Sequence, residues 1–496
     1  STIKLSTEER AWINAHPVLR VSNELDWPPF NFVRDAVPLG YSIDFMNRVA
    51  QKVGLEVEYI AGPSWNDFLN MMKKGELDVM LNIVKTPDRQ EYMLYTPPYG
   101  NNPNVILSRR EALFDNLEAL SGKTVAIPKG FWYEEIIERD HPQINILAVK
   151  NTLECMKAVS FKKADAAFGE LAVFNYLISE HMMTDLVISD EVKMGNSEFS
   201  LLNMSTRKDL PLLASILTKG INAVSPEERR KIQLRWLANP EDAKQEPAKT
   251  KILLTDSERD WLGSQSKIRF GVDPAWPPFD FIDAKGQHQG LAADILRLLA
   301  DRLGIELSLV PDLSWPQVLE GAQSRTIDII PSLSQTPERS KYLKFTQPFT
   351  YTPWVIVTRR DFKPVESQSQ LTNDRVAMVD GYAIIDLTHQ VYPEFKIQSV
   401  KSPLEGLKAV SLNEMDAYAG NLGVITHLIR KNNLNNLKVA SGTGFDDQQL
   451  RLGVRSDWPD MISIMNKGLA SISIEEMNTI LKKWIPVQQD LTKTPE

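Results

Sequence analysis

A single cysteine, Cys155, stands among 496 residues. One thiol forms no bridge within its own chain. Neither a disulfide-stapled scaffold nor a multi-cysteine metal centre is therefore available, while the redox compartment stays open. Histidine is also scarce. His16, His141, His181, His288, His389 and His427 are scattered along the chain. With no His-Glu-x-x-His and no Gly-x-Ser-x-Gly, metal hydrolysis and triad chemistry both go unsupported, and no metal or cofactor is expected. Gly122, Lys123 and Thr124 hint at a phosphate loop, but Leu117 stands where that loop needs glycine, and a strand follows rather than a helix. No apolar run approaches the ~18 to 20 residues that span a bilayer. The opening residues, from Ser1, make no charged and apolar leader. The expectation is a cytosolic chain, or an exported one whose targeting segments lie outside these residues. A formal net charge of −8 argues against a nucleic-acid partner.

What the chain does contain, it contains twice. NELDWPPFNF places Trp27 before two prolines, and GVDPAWPPFDF places Trp276 in the same setting. LSTEERAW at Leu5 matches LTDSERDW at Leu254, and GPSWNDFL matches DLSWPQVL, so Trp65 aligns with Trp315. LDVMLNIVKTPDR matches IDIIPSLSQTPER, which pairs Asp78 with Asp328 and Arg89 with Arg339; Asp165 pairs with Asp416, and Trp236 with Trp484. So many spaced words in one register mark a duplicated unit of domain size, not a solenoid of short repeats. We expect a first domain over residues 1–240, a polar linker at 241–252 within a stretch, 238–251, that holds Pro240 and Pro247, a second domain over 253–488 and a tail at 489–496.

Within one copy, VLRVS reads as a strand, and YSIDFMNRVAQKVG as a helix stopped at Gly54. LEVEYI reads as a strand, SWNDFLNMMKKG as a helix begun by Ser64, LDVMLNI as a strand, and TPDRQEYM as the opening of another helix. TVAIPKG, TLECMKAVSFKKA, DAAFG and LPLLASILTKGINAV continue the alternation. The pattern predicts α/β domains with mostly parallel sheets. Ligands then lie beyond the carboxyl ends of the strands.

Thr86-Pro87-Asp88-Arg89 puts a capping hydroxyl, a first-turn proline and an acid ahead of Arg89. The guanidinium is expected beside the positive end of a helix, suited to a carboxylate. Thr336 to Arg339 repeat the arrangement. The two prolines of each WPPF are expected to stiffen an extended loop and aim Trp27 and Trp276 into a cleft, with Phe30 and Phe279 in the core. Trp65 and Trp315 read as an opposing wall. Glu24 and Asp273, three residues before those tryptophans, read as acceptors for a ligand ammonium.

Together these words resemble the polar amino-acid-binding solute-binding proteins of family 3, the Venus flytrap fold, over residues 19 to 237 and 267 to 485. The LTxxExxW prefix before each copy resembles the tandem flytrap sensor regions of hybrid histidine kinases, the BvgS-type virulence sensors. The resemblance implies two lobes per domain, a two-strand hinge and closure around a small amino acid or carboxylate. It implies a periplasmic location between an export signal and a transmembrane helix, both outside these residues, so that membrane contact comes only through those flanks. It also implies a homodimer in the full receptor. The implied second pocket is Asp273, Trp276, Trp315, Ser332, Ser334, Thr336, Arg339, Tyr382 and Asn421. The implied first pocket is Glu24, Trp27, Trp65, Asn82, Thr86, Arg89, Trp132 and Glu170. Asn82 and Val84 replace the family's serines in the first copy, and Phe131 and Trp132 replace its small loop, so this cleft is expected to be partly filled. The family's ammonium-holding acid becomes Glu170 in the first copy and Asn421 in the second, so an anion without a free amine suits the second.

Two other functions fit the same residues. One is a soluble tandem receptor serving a transporter. The other is a dehydratase-like enzyme with Glu170 as general acid, which the sequence disfavours because no second acid or base is paired with it. The chain itself is expected to be a binding module and not an enzyme.

Overall fold

A computed structural model describes residues 3–194, 200–237, 252–265 and 267–485. The linker expected at 241–252, apart from Ile252, and the tail at 489–496 lie outside the described residues. Both copies build the same pair of sheets. In the first copy the near lobe orders its strands Glu56–Ala61, Val18–Asn23, Val79–Ile83, Leu201–Arg207 and Met93–Tyr95. The first three run parallel and the fourth returns antiparallel. The far lobe orders Asn145–Val149, Thr124–Pro128, Ala166–Glu170, Asn104–Arg109 and Leu186–Ile188. The second copy repeats this as Leu307–Leu309, Ile268–Phe270, Ile329–Leu333, Gln448–Arg455 and Leu343–Phe345, then Ile397–Val400, Val376–Val379, Ala417–Asn421, Trp354–Arg359 and Leu437–Gly442. The chain crosses from near lobe to far lobe and back once in each copy. In the second the crossings run between Phe345 and Trp354 and between Gly442 and Gln448. These are tandem periplasmic-binding-protein folds, as the family resemblance implied, and the alternation of elements correctly gave α/β domains with mostly parallel sheets.

Local chemistry sets the helices. Helix Tyr41–Val53 ends on Gly54 and Trp65–Lys74 on Gly75, both glycines left-handed at φ 81° and 77°. Ser64 closes a capping box with Asp67. The paired aspartates are structural. Asp78 ties Arg20 to Arg207 at 2.7 and 3.0 Å, and Asp328 ties Arg269 to Arg455 at 2.7 and 2.9 Å. Each joins an early parallel strand to the returning one.

The prefixes are structural as well. In helices Thr7–Ala15 and Asp256–Ser264, Glu9 and Glu258 each close a capping box. Each also reaches a helix at the far end of its copy: Glu9 takes Ser215 and Lys219, both at 2.7 Å, and Glu258 takes Ser463 at 2.6 Å and Lys467 at 2.7 Å. At the other end, Asp44 receives the Trp236 indole and Asp294 the Trp484 indole, each at 2.8 Å. Among the described residues, no helix is long and apolar enough to cross a membrane.

Two local expectations change. TPDR and TPER do not open long helices: the first is the four-residue Pro87–Gln90 and the second the short 3-10 turn Arg339–Lys341. A single turn has almost no summed dipole, so the charge at these sites belongs to the guanidinium itself. WPPF is not extended either. Its proline pairs are joined by cis bonds, and the chain folds back between two short strands, with the Phe30 N–H on the Trp27 carbonyl at 3.1 Å.

Candidate functional site

Each copy encloses a cleft where the carboxyl ends of near-lobe strands meet the far lobe. In the first, Glu24, Trp27, Trp65, Asn82, Val84 and Arg89 come from the near lobe, and Phe131, Trp132 and Glu170 from the far lobe, with Asn102, Ser200 and Leu202 at the crossings. In the second, Asp273, Trp276, Trp315, Ser332, Leu333, Ser334 and Arg339 face Trp354, Tyr382, Ala383 and Gln448. About 20 Å³ remains free in each, room for a single water.

The arginines hold the centre. Arg89 and Arg339 are each only 5% exposed, and neither has a carboxylate partner among the described residues. Arg89 donates to the Val84 carbonyl at 3.1 Å and lies over the Trp65 ring at 5.9 Å. Arg339 donates to the Ser334 carbonyl at 2.8 Å and lies over Trp315 at 5.5 Å. Burial pulls both guanidinium pKa values down. A buried cation without a counter-ion is costly, and a carboxylate ligand would relieve that cost.

The two clefts then differ. The second satisfies itself across the gap. Arg339 Nη2 and the Trp315 indole both donate to the Gly381 carbonyl, at 2.8 and 3.1 Å, and the Tyr382 hydroxyl donates to Asp273 at 2.5 Å. Gln448 donates to Ser334 Oγ at 2.7 Å and accepts from Asn421 at 2.8 Å, which ties both lobes to one side chain. Only Ser332 Oγ is left buried without a hydrogen bond there. In the first cleft the lobes meet through rings, with Trp65 and Phe131 5.7 Å apart. Trp65 Nε1, Trp27 Nε1, Asn102 Nδ2 and Glu170 Oε2 are all buried without a partner in hydrogen-bond geometry.

Carboxyl groups line both spaces. Burial pushes Glu24 up to about 8, opposed by a 2.9 Å hydrogen bond from Asn82. Burial pushes Glu170 up to about 7, opposed by the Tyr133 hydroxyl, which donates to it. Burial also pushes Asp273 up to about 7, opposed by Tyr382. The sequence paired no second acid with Glu170; the structure supplies Glu24, close enough for the Glu170 charge to raise its pKa.

Three expected residues stand behind the enclosed space. Thr86 and Thr336 cap the Arg89 and Arg339 turns through the backbone N–H groups, at 3.4 and 3.2 Å. Thr336 also faces an outer groove of about 590 Å³ beside the second cleft. Asn421 caps helix Leu422–Lys431 and reaches the cleft only through Gln448. Trp65 and Trp315 do not oppose Trp27 and Trp276, because all four belong to near lobes; the facing walls are Phe131 with Trp132, and Tyr382 with Ala383. Sequence reading missed Trp354, Gln448, Asn102, Ser200 and Leu202. Gln448 carried no signal, because its neighbours match no motif; Trp354, the first residue of a far-lobe strand after a crossing, was findable from that position. Among the described residues, no group of three or more His, Cys, Asp or Glu side chains is placed to hold a metal ion.

Comparison with known proteins gives matches over nearly the whole chain. The model of the bacterial extracellular solute-binding proteins, family 3, matches residues 19–239 and again 268–487. The virulence sensor protein BvgS of Bordetella pertussis is 23% identical over 487 residues, which cover 97% of this chain and 38% of that protein. The chain thus spans less than two-fifths of that relative. The ABC transporter arginine-binding protein 1 of Escherichia coli is 26% identical over 231 residues, 44% of this chain and 91% of that one. The crystal structure of the periplasmic domain of B. pertussis BvgS aligns over 99% of this chain and 94% of that one, at 22% identity and a TM-score of 0.46.

Proposed function

The chain belongs to the bacterial extracellular solute-binding proteins of family 3, which it matches in both halves, and from that premise we propose that it is the periplasmic ligand-sensing region of a two-component sensor histidine kinase. In this reading the flytrap domains occupy residues 1–240 and 253–488, with a linker at 241–252 and a tail at 489–496 leading toward a membrane helix. Each cleft binds a small amino acid or carboxylate, and a change in lobe angle is the signal. The kinase lies in other parts of the full protein, which works as a homodimer; this chain binds and does not catalyse.

One observation carries the reading: Arg89 and Arg339 are buried between lobes, over tryptophan rings, with no carboxylate partner among the described residues. The likeness to an arginine-binding protein supports an amino acid as the ligand class. Closure is favoured only by the difference in ligand affinity between closed and open lobes.

The test is thermal unfolding of the whole chain with L-arginine, other amino acids and small carboxylates. A ligand at a hundred times its Kd adds about 2.7 kcal/mol to stability. Arg89→Ala or Arg339→Ala is expected to abolish that gain for the cleft concerned. A gain of the same size in wild type and in both variants sinks the assignment, as does the absence of any gain. Turnover of a cyclic acid by the purified chain would replace sensing with catalysis at Glu170.

A further inference from the structure

The far lobe of the first domain rests on the hinge of the second and touches both crossings. On the outgoing crossing, the Thr350 hydroxyl donates to the Glu180 carbonyl at 3.0 Å. On the return crossing, Asp447 takes Lys157 Nζ at 3.0 Å and has His181 Nδ1 at 3.5 Å. Where that crossing begins, a Cβ on Gly442 would stand 2.8 Å from the Phe161 ring. Beside the hinge, the hydroxyls of Thr184 and Thr426 meet at 2.5 Å. The contact is close, so a shift on one side is felt on the other.

The same first-domain elements also carry that domain's own lobe-to-lobe contacts. Glu180 pairs with Arg34 of the near lobe, and Arg34 donates to the Tyr176 hydroxyl at 3.3 Å. Lys157 rides on helix Thr152–Ser160, whose cap, Asn151, donates to Asp26 of the near lobe. Opening the first cleft therefore displaces the residues that grip the second domain's hinge. Asp447 adjoins Gln448, the side chain bonded to Ser334 of one lobe and Asn421 of the other.

We propose that Asp447 is a positioning residue for the second cleft: Lys157 holds it only while the first domain is closed, so the first domain's lobe state sets the second's. This rests on the reading above that lobes move. It goes beyond that reading by making the clefts one coupled system, in which each biases the other by the same factor. Closed lobes in the first domain fix the return crossing where Gln448 spans the second cleft, and open lobes release it.

Hydrogen exchange of the full chain, with no small molecule added, tests this through native-state opening. Asp26→Ala with Arg34→Ala removes polar lobe contacts of the first domain without touching either cleft lining. That variant is expected to speed exchange around Gly130–Trp132 and, by roughly five-fold or more, around Gly381–Ala383. Asp447→Asn alone is expected to speed exchange at Gly381–Ala383 and, because the coupling is reciprocal, at Gly130–Trp132, and nowhere else in the second domain. Added to Asp447→Asn, the first-domain changes are expected to do nothing further there. A merely structural Asp447 would instead speed exchange throughout the second domain, and the effects would add. Faster exchange in the first cleft with the second unchanged overturns the coupling and leaves lobe motion standing. No change in the first cleft overturns lobe motion and the coupling with it. If Asp447→Asn does not fold, Lys157→Met breaks the same contact from the other side, with the same outcomes.

Discussion

Glu24 and Glu170 enter one enclosed space from opposite lobes, and in each burial penalises the anion and raises the pKa. With folded values of about 8 and about 7, the folded chain holds protons that an unfolded carboxyl, near 4.3, gives up. Their stabilising contribution is full below about pH 4 and is lost as the pH rises through 7 and 8, at up to about 1.4 kcal/mol per pH unit for each proton of difference. Glu24→Gln keeps the neutral form at every pH. Wild type is therefore expected to lose stability relative to this variant between pH 5 and pH 8, measured by urea unfolding; parallel pH profiles would show Glu24 to be ionised in the fold. Much at this scale was legible beforehand. Arg89, Arg339 and the four tryptophans were found because they recur at one spacing after a strand. Thr86, Thr336 and Asn421 stand behind the enclosed space because a motif position does not reveal which way a side chain turns, and all three place a side-chain oxygen on a cap.

At the scale of elements, repeated words divide into those that line clefts and those that fasten helices. The glutamate of LTxxExxW fastens. Glu258 is held down at about 2, chiefly by its hydrogen bonds from Lys467 and Ser463. Its share of stability is present above about pH 4.5 and lost as the pH falls toward 2. Glu258→Ala is expected to cost about 2 kcal/mol, the worth of its charge-assisted bonds and cap. It should also flatten the acid limb of the stability profile, read by denaturant titration at pH 3 and pH 6. An unchanged midpoint at pH 6 would make the prefix helix dispensable. Strand and helix order was readable from periodicity, since two-residue and 3.6-residue patterns rarely coincide. The single turns at Arg89 and Arg339 were not: a cap, a proline and an acid start a turn, but only the packing of later residues decides how far it runs.

At the scale of the molecule, duplication was plain in the sequence and the contact between copies was not. Lys157 lies in a repeated word, LECMKAVS against LEGLKAVS, yet the repeat does not reveal that it meets Asp447, because an interface between two copies uses different faces of each. Gly442→Val is expected to force Phe161 away, at an overpacking cost of about 1 to 3 kcal/mol, and to enlarge the radius of gyration in small-angle scattering. An unchanged radius would mean that the ring simply turns aside. Each far lobe, from Asn104 to Ile188 and from Trp354 to Gly442, is one uninterrupted length of chain, whereas each near lobe is assembled from two. A far lobe can therefore be transplanted with only two splices. Chimeras carrying two first-type or two second-type jaws would place one arginine opposite the other's partner surface, and would sort recognition from transmission while leaving the arginines' own turns unaltered.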